Sequence, residues 1–135
     1  MKIKETEQDF VVFAIVSSED DYYLAGNINS ILSLDLKRIE HPALQNEHLN
    51  GKIVSCFNYT CPKTNVEYSF ICNRCEEFRL IPQLHNIDFI LKISGSLTKE
   101  QINSIAAAIR TVKGITACMN LIVKKTPSFE ILKRI

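Results

Sequence analysis

The chain has 135 residues, a net charge of +1, 46% hydrophobic and 23% charged residues. This length predicts one domain, residues 1–135, that buries roughly two-thirds of the surface of its unfolded chain, and the composition is typical of a soluble globular protein. The near-neutral charge argues against nucleic acid or an anionic membrane as a partner. The first residues lack the apolar core of a signal peptide, and no apolar run approaches the ~20 residues that span a bilayer. We therefore expect a cytoplasmic protein.

The first third of the chain predicts a strand, a helix and a second strand. The unbroken apolar run at residues 10–16 is typical of a strand that is covered on both faces. Residues 17–21 then supply N-cap candidates and negative charge, and Leu24, Ile28, Ile31 and Leu32 follow at helical spacing, which predicts a helix from about 21 to 33. We expect the Asn29 side chain to be exposed or locally bonded, in preference to a ligand role. Residues 34–39 predict a short strand, and residues 40–51 are typical of a loop.

The remaining elements are predicted to be a hairpin, a strand, a helix and a last strand. Residues 52–59 and 66–72 favour two strands joined by a short loop, and residues 87–93 favour a third. Thr98 and Gln101 fit a capping box, and the helix that they begin carries one apolar stripe: Ile102, Ile105, Ala106, Ile109 and Val112. A strand at 115–123 precedes a tail, 124–135, that docks through Phe129, Ile131 and Leu132.

The resulting order is β-α-β-β-β-β-α-β. Two amphipathic helices against a mostly antiparallel sheet predict an α+β two-layer sandwich. We expect the strands at 10–16 and 115–123 to be central or nearly so.

The segment at residues 80–95 joins a proline turn to a strand. Pro82 has no N–H and favours an extended Ile81. Downstream, apolar side chains alternate with other residues, which predicts a strand with one buried face; they are Ile87, Phe89, Leu91 and Ile93.

This segment resembles the motif of the IPExxxVDY family, small bacterial proteins of unknown function. Ile81, Pro82 and Asp88 match the motif, Ile87 and Phe89 are conservative replacements, and Gln83 lacks the charge of the family's glutamate. A looser likeness covers residues 21–29 and 68–73. The resemblance implies the fold class and supplies no activity.

Five cysteines offer the sharpest alternative chemistry. An odd count without a signal peptide argues against a disulfide scaffold. Cys72 and Cys75 form a C-x-x-C pair, and Cys56 and Cys61 on the opposing strand would complete a four-thiolate zinc site. The five-residue separation of Cys56 and Cys61 opposes this, because it places them on opposite faces of a regular strand. A thioredoxin-like role requires a helix after the pair, and none is predicted.

His85 and Asp88 are spaced for a hydrogen-bonded acid–base pair. The sequence contains no nucleophile motif or glycine-rich phosphate loop that would accompany them. We expect Asp88 instead to accept hydrogen bonds from backbone N–H groups of the Pro82–Asn86 turn.

The sequence leaves enzymatic activity open and favours a non-catalytic interaction or accessory module without a cofactor, whose partner is another protein or a second copy of the chain. The alternative is a zinc- or thiol-dependent protein built on Cys72 and Cys75.

Overall fold

The structure, a computed structural model, describes residues 10–44, 54–75, 78–121 and 130–135. Its strands are β1 (Phe10–Ser17), β2 (Lys37–Ile39), β3 (Cys56–Thr60), β4 (Glu67–Cys72), β5 (Arg74–Cys75), β6 (Phe78–Arg79), β7 (Phe89–Ser94) and β8 (Ile115–Leu121). Its helices are α1 (Asp21–Leu32), α2 (Lys99–Arg110) and the short α3 (Ile131–Arg134). Among the described residues, 3₁₀ turns lie at Pro42–Leu44 and Pro82–Leu84.

One six-stranded sheet organises these elements, in the order β2-β3-β4-β7-β1-β8. Every neighbouring pair in it is antiparallel. The predicted α+β class, a sheet covered by two substantial helices, is therefore confirmed. The two-residue strands β5 and β6 form a separate ribbon, which the sequence did not predict.

One face of the sheet, the helix face, packs against α1 and α2. Its core contains Phe13, Phe70 and Leu91 from the strands, with Leu24 from α1 and Ile109 from α2. These side chains meet because alternate residues of each strand point to the same side of the sheet. A row of buried aromatic rings crosses the centre of this face, where Phe70 stacks on Phe89 with 5.1 Å between ring centroids.

The opposite face is covered too. We call it the motif face, because Ile81 and Ile87 of the motif segment pack on it together with Leu132 of α3. The prediction that the strand at 87–93 has one buried face is thus wrong. The strand begins at Phe89 and is buried on both sides, since Phe89 faces the helices and Ile90 lies under the motif segment.

β8 occupies a different place from the one expected. Within the part of the chain that the structure describes, β8 pairs with β1 alone and so lies at an edge of the sheet, whereas β1 lies inside it. The expected central position of residues 115–123 is therefore wrong. The apolar character of β8 reflects packing on one side, because Cys118 is buried against the helix-face core while Met119 is 44% exposed.

The helix boundaries follow local signals. Asp20 caps α1 by accepting the N–H of Tyr23, and Thr98 and Gln101 form both hydrogen bonds of the predicted capping box at α2. Asn29 bonds locally as expected, since its side chain accepts the N–H of Leu36 at 2.8 Å. Leu132 is fully buried, so the predicted docking of the tail holds there, while Phe129 lies outside the described residues. No helix in the described parts is long and apolar enough to cross a membrane.

Candidate functional site

The motif segment crosses from the surface to the core within a few residues. Ile81 is extended, with φ −119° and ψ 100°, as the following proline predicts, and its side chain is fully buried. Pro82 and Gln83 are exposed on the 3₁₀ turn. Ile87 and Phe89 then bury their side chains on opposite faces of the sheet. The segment is therefore a surface turn anchored at both ends.

Asn73 holds this turn from the end of β4. Its side-chain oxygen accepts the N–H of Ile81 at 2.8 Å, and its amide group donates to the carbonyls of Leu84 and Ile87, both at 2.9 Å. Its own carbonyl accepts the N–H of Leu80 at 2.8 Å. With no exposed surface, Asn73 satisfies polar backbone groups that the burial of Ile81 removes from water.

Asp88 joins two other parts of the chain. One carboxylate oxygen accepts the N–H of Ser17 at 2.8 Å, at the end of β1, and the other pairs with the guanidinium of Arg74 at 2.6 Å. The prediction that Asp88 binds N–H groups of the Pro82–Asn86 turn is wrong. The turn closes with its own backbone, where Leu84 donates to Ile81 and Ile87 donates to Leu84.

The spacing of His85 and Asp88 does not produce an acid–base pair. Both oxygens of Asp88 are engaged as described, while His85 is exposed and its carbonyl accepts a hydrogen bond from Arg79 at 3.0 Å. The polar groups around Asp88 form a structural connection between β1 and β5.

The cysteines do not converge on one point. Cys56 pairs with Ile71 on β4 and packs on the motif face. Cys61 lies five residues further, at the hairpin turn, roughly 16 Å along a strand, where its N–H bonds Val66. The arrangement does not form the four-thiolate site considered from the sequence, and across the described residues no group of three or more His, Cys, Asp or Glu side chains is placed to hold a metal ion.

Cys72 and Cys75, by contrast, are in contact. The Cys75 thiol donates to the carbonyl of Cys72 at 3.4 Å, and the Cys72 thiol donates to the carbonyl of Arg74 at 2.9 Å. A hydrogen bond from Cys75 holds the pKa of Cys72 below its usual value, although burial and the carboxylates of Asp21 and Asp88 act against it.

Two other thiols differ sharply from Cys72. Burial raises the pKa of Cys56 and of Cys118 to about 11. Because the thiolate is the reactive form of cysteine, burial disfavours reaction at these two thiols. Cys61 resembles Cys72 in one respect, since a hydrogen bond with Thr64 lowers its pKa.

A buried lysine lies on the motif face. Lys92 of β7 is only 6% exposed, stands beside Ser69 of β4 in register, and places its amine 4.6 Å from the centroid of the Phe10 ring. Burial lowers its pKa, while the nearby Glu67 carboxylate opposes that shift. Asn58 bonds both Glu67, at 2.9 Å, and Ser69, at 3.1 Å, so polar side chains continue across three strands.

The exposed side of α1 carries most of the large hydrophobic side chains that are exposed among the described residues. Three of these four side chains lie on it: Tyr22 at 62%, Tyr23 at 38% and Ile31 at 44%. Gly26 and Ser30 are exposed between them. We call these five residues the α1 outer face. No charged residue occurs from 22 to 34.

The sequence offered a signal for the α1 outer face and none for the Asn73 hydrogen bonds. An uncharged stretch of thirteen residues can be read directly, whereas the partners of the Asn73 side chain lie up to 14 positions away and become neighbours only in the fold. Comparison with protein-family models, curated proteins and solved structures found no match to this chain.

Proposed function

We propose that this protein is a cytoplasmic, non-catalytic interaction module that works without a cofactor and forms a homodimer through the α1 outer face. The observation that carries the proposal is the concentration of exposed apolar side chains on this helix, which carries no charged residue after Asp21. An exposed apolar patch on a protein of ordinary composition is a typical mark of a protein–protein interface.

The two tyrosines are held in place before any partner binds. Tyr22 packs edge-on against Phe57, with 5.2 Å between centroids, and its hydroxyl accepts a hydrogen bond from Arg38. The Tyr23 hydroxyl donates to the carbonyl of Lys113 at 3.2 Å. Aromatic residues fixed in this way lose little conformational entropy on binding, which favours their use as interface anchors.

The α1 outer face also suits a second copy of itself. Tyr22 and Ile31 lie equally far along the helix from the midpoint between Gly26 and Asn27. An antiparallel pair of α1 helices related by a two-fold axis there places Tyr22 of each copy level with Ile31 of the other along the helix axis, on opposite flanks of the contact, because nine residues make about two and a half turns. At Gly26 a side chain would meet nothing within 4 Å, so the backbones of two copies can approach closely. The net charge of +1 adds little repulsion between copies.

The experiment is light scattering after size exclusion, over a range of protein concentrations, on the native chain and on Gly26→Glu. We expect a dimer that Gly26→Glu dissociates, because the new charge stands at the centre of the contact. The same change improves helix propensity by roughly 0.5–1 kcal/mol, so the monomer should melt no lower than before. Ala107→Glu, on the exposed side of α2, is the matched control and should leave the dimer intact.

Two results would contradict the proposal. A native chain that stays monomeric up to its solubility limit excludes a homodimer, and an unchanged dimer in Gly26→Glu excludes this helix as its interface. The resemblance to the IPExxxVDY family stays a prediction and supplies no competing activity.

A further inference from the structure

The C-x-x-C segment encloses the two residues that anchor the motif. Between Cys72 and Cys75 lie Asn73, which holds Ile81, and Arg74, which pairs with Asp88. The thiols themselves bond to this same stretch of backbone, since Cys75 donates to the carbonyls of Cys72 and Asn73 and Cys72 donates to that of Arg74. A covalent change at the two sulfurs therefore acts directly on the anchor.

We propose that Cys72 and Cys75 form a reversible dithiol–disulfide pair, which low-molecular-weight disulfides oxidise and whose state controls the hold of Asn73 on the motif segment. The inference is independent of the homodimer proposed above. It rests on the position of the Cys75 sulfur 3.4 Å from the carbonyl oxygen of Cys72, on the partial exposure of Cys72, and on the burial of Cys75.

The two thiols have different parts in the reaction. Cys72 is partly exposed and hydrogen-bonded by its neighbour, which suits it to attack an incoming disulfide. Cys75 is 9% exposed and packs beside Leu44, Val54 and Ile135, which shields it from direct attack. Cys72 is thus the attacking residue and Cys75 the resolving one.

The reaction consists of two balanced exchanges. The Cys72 thiolate attacks one sulfur of a small disulfide RSSR, which forms a mixed disulfide and releases one thiolate that takes up a proton. The Cys75 thiolate then attacks the Cys72 sulfur and releases the second thiol. The protein dithiol is oxidised by two electrons, and RSSR is reduced to two RSH.

Oxidation alters the backbone around Asn73 for two reasons. It removes the thiol donors to the carbonyls of Cys72, Asn73 and Arg74, and it draws the sulfurs to a covalent distance of about 2.05 Å. Both changes affect the backbone at Asn73, which accepts the N–H groups of Leu80 and Ile81. The oxidised protein should therefore protect these two amides less well.

The test uses the full chain incubated in mixtures of oxidised and reduced glutathione, followed by alkylation and peptide mass spectrometry. We expect a loss of two hydrogens, mapped to one peptide linking Cys72 and Cys75, and its reversal by excess reduced glutathione. Cys75→Ser should accumulate glutathione on Cys72, and Cys61→Ser, the control at the other low-pKa thiol, should oxidise as the native chain does. The mapping on the native chain does not depend on whether Cys75→Ser folds.

Other outcomes would overturn the proposal. If glutathione accumulates on Cys72 of the native chain, Cys75 does not resolve the mixed disulfide. If Cys61 is oxidised while Cys72 and Cys75 remain reduced, and are therefore fully alkylated, the two thiols are not a redox pair. Hydrogen exchange of the Leu80 and Ile81 amides tests the link to the motif. Equal protection in the oxidised and reduced proteins would show that the disulfide does not control the anchor.

Discussion

The side chain of Asn73 accepts the backbone N–H of Ile81 at 2.8 Å, across eight positions of sequence. Two further bonds run from the same amide to the carbonyls of Leu84 and Ile87. The turn that carries Pro82 is therefore positioned by a buried polar residue at the end of the preceding strand. This arrangement makes Asn73 a stronger determinant of the motif's geometry than the exposed motif residues themselves.

Asn73→Ala should strongly destabilise the protein. The substitution leaves the Ile81 N–H and the Ile87 carbonyl without their side-chain partner, while the Leu84 carbonyl still accepts the N–H of Ile87. Each buried unsatisfied group costs roughly 1–3 kcal/mol. Urea unfolding measures the loss. Asn103→Ala is the matched control, because Asn103 is exposed on α2 and should tolerate the change. Equal stability of the two variants would mean that the motif turn does not depend on Asn73.

Ile109→Ala should cost about 2–5 kcal/mol in the free energy of unfolding, the usual range for emptying a buried aliphatic site. Ile109 has no exposed surface, whereas Ile105, four residues earlier on the same stripe, is only partly buried. Ile105→Ala should therefore cost less than Ile109→Ala, by the same unfolding measurement. The reverse order, or normal stability of both, would contradict the packing of α2 on the helix face.

The parts of the fold that the sequence predicted are those with local causes. The capping box at Thr98 and the apolar stripe of α2 are satisfied within one helix, so both were readable. Strand order is not local. The edge position of β8 depends on pairing with β1, about a hundred residues earlier. The partners of Asp88 could not be predicted for the same reason, because Ser17 approaches Asp88 only when β1 and β7 pair.

Lys92→Met should change the pH dependence of stability. Burial lowers the pKa of Lys92 below its ordinary 10.5, so the folded state binds fewer protons than the unfolded state between the lowered pKa and 10.5. The contribution of Lys92 to the free energy of unfolding therefore rises with pH in that window, because the buried amine loses its proton and its charge. Any advantage of Lys92→Met over the native chain at neutral pH should therefore shrink as pH rises.

The measurement is urea unfolding of both proteins at several pH values from neutral to about 10. Comparing each variant with the native chain cancels the titration of other groups, including the buried cysteines. Lys37→Met, on an exposed side chain, is the control. A difference between Lys92→Met and the native chain that does not vary with pH would show that the amine is hydrated in the folded state.

Asp88→Ala should lower stability by about 1–3 kcal/mol, because the buried N–H of Ser17 loses its acceptor. Asp88→Asn should be milder, since the amide oxygen still accepts that bond. The Arg74 side chain is 47% exposed, so its ion pair with Asp88 is screened by solvent and contributes at most about 1 kcal/mol. Arg74→Ala should accordingly cost less than Asp88→Ala.

A carboxylate that serves the interaction function behaves differently from one that holds the fold. In that case Asp88→Ala and Asp88→Asn would both melt normally and lose association, so thermal melting and light scattering are measured on the same two variants. Gln83→Glu is the control, because it adds the acidic residue of the resembled motif on an exposed side chain and should change neither property. Normal melting of Asp88→Ala together with lost association would overturn the structural role of Asp88, and strong destabilisation by Gln83→Glu would contradict the exposed position of the turn.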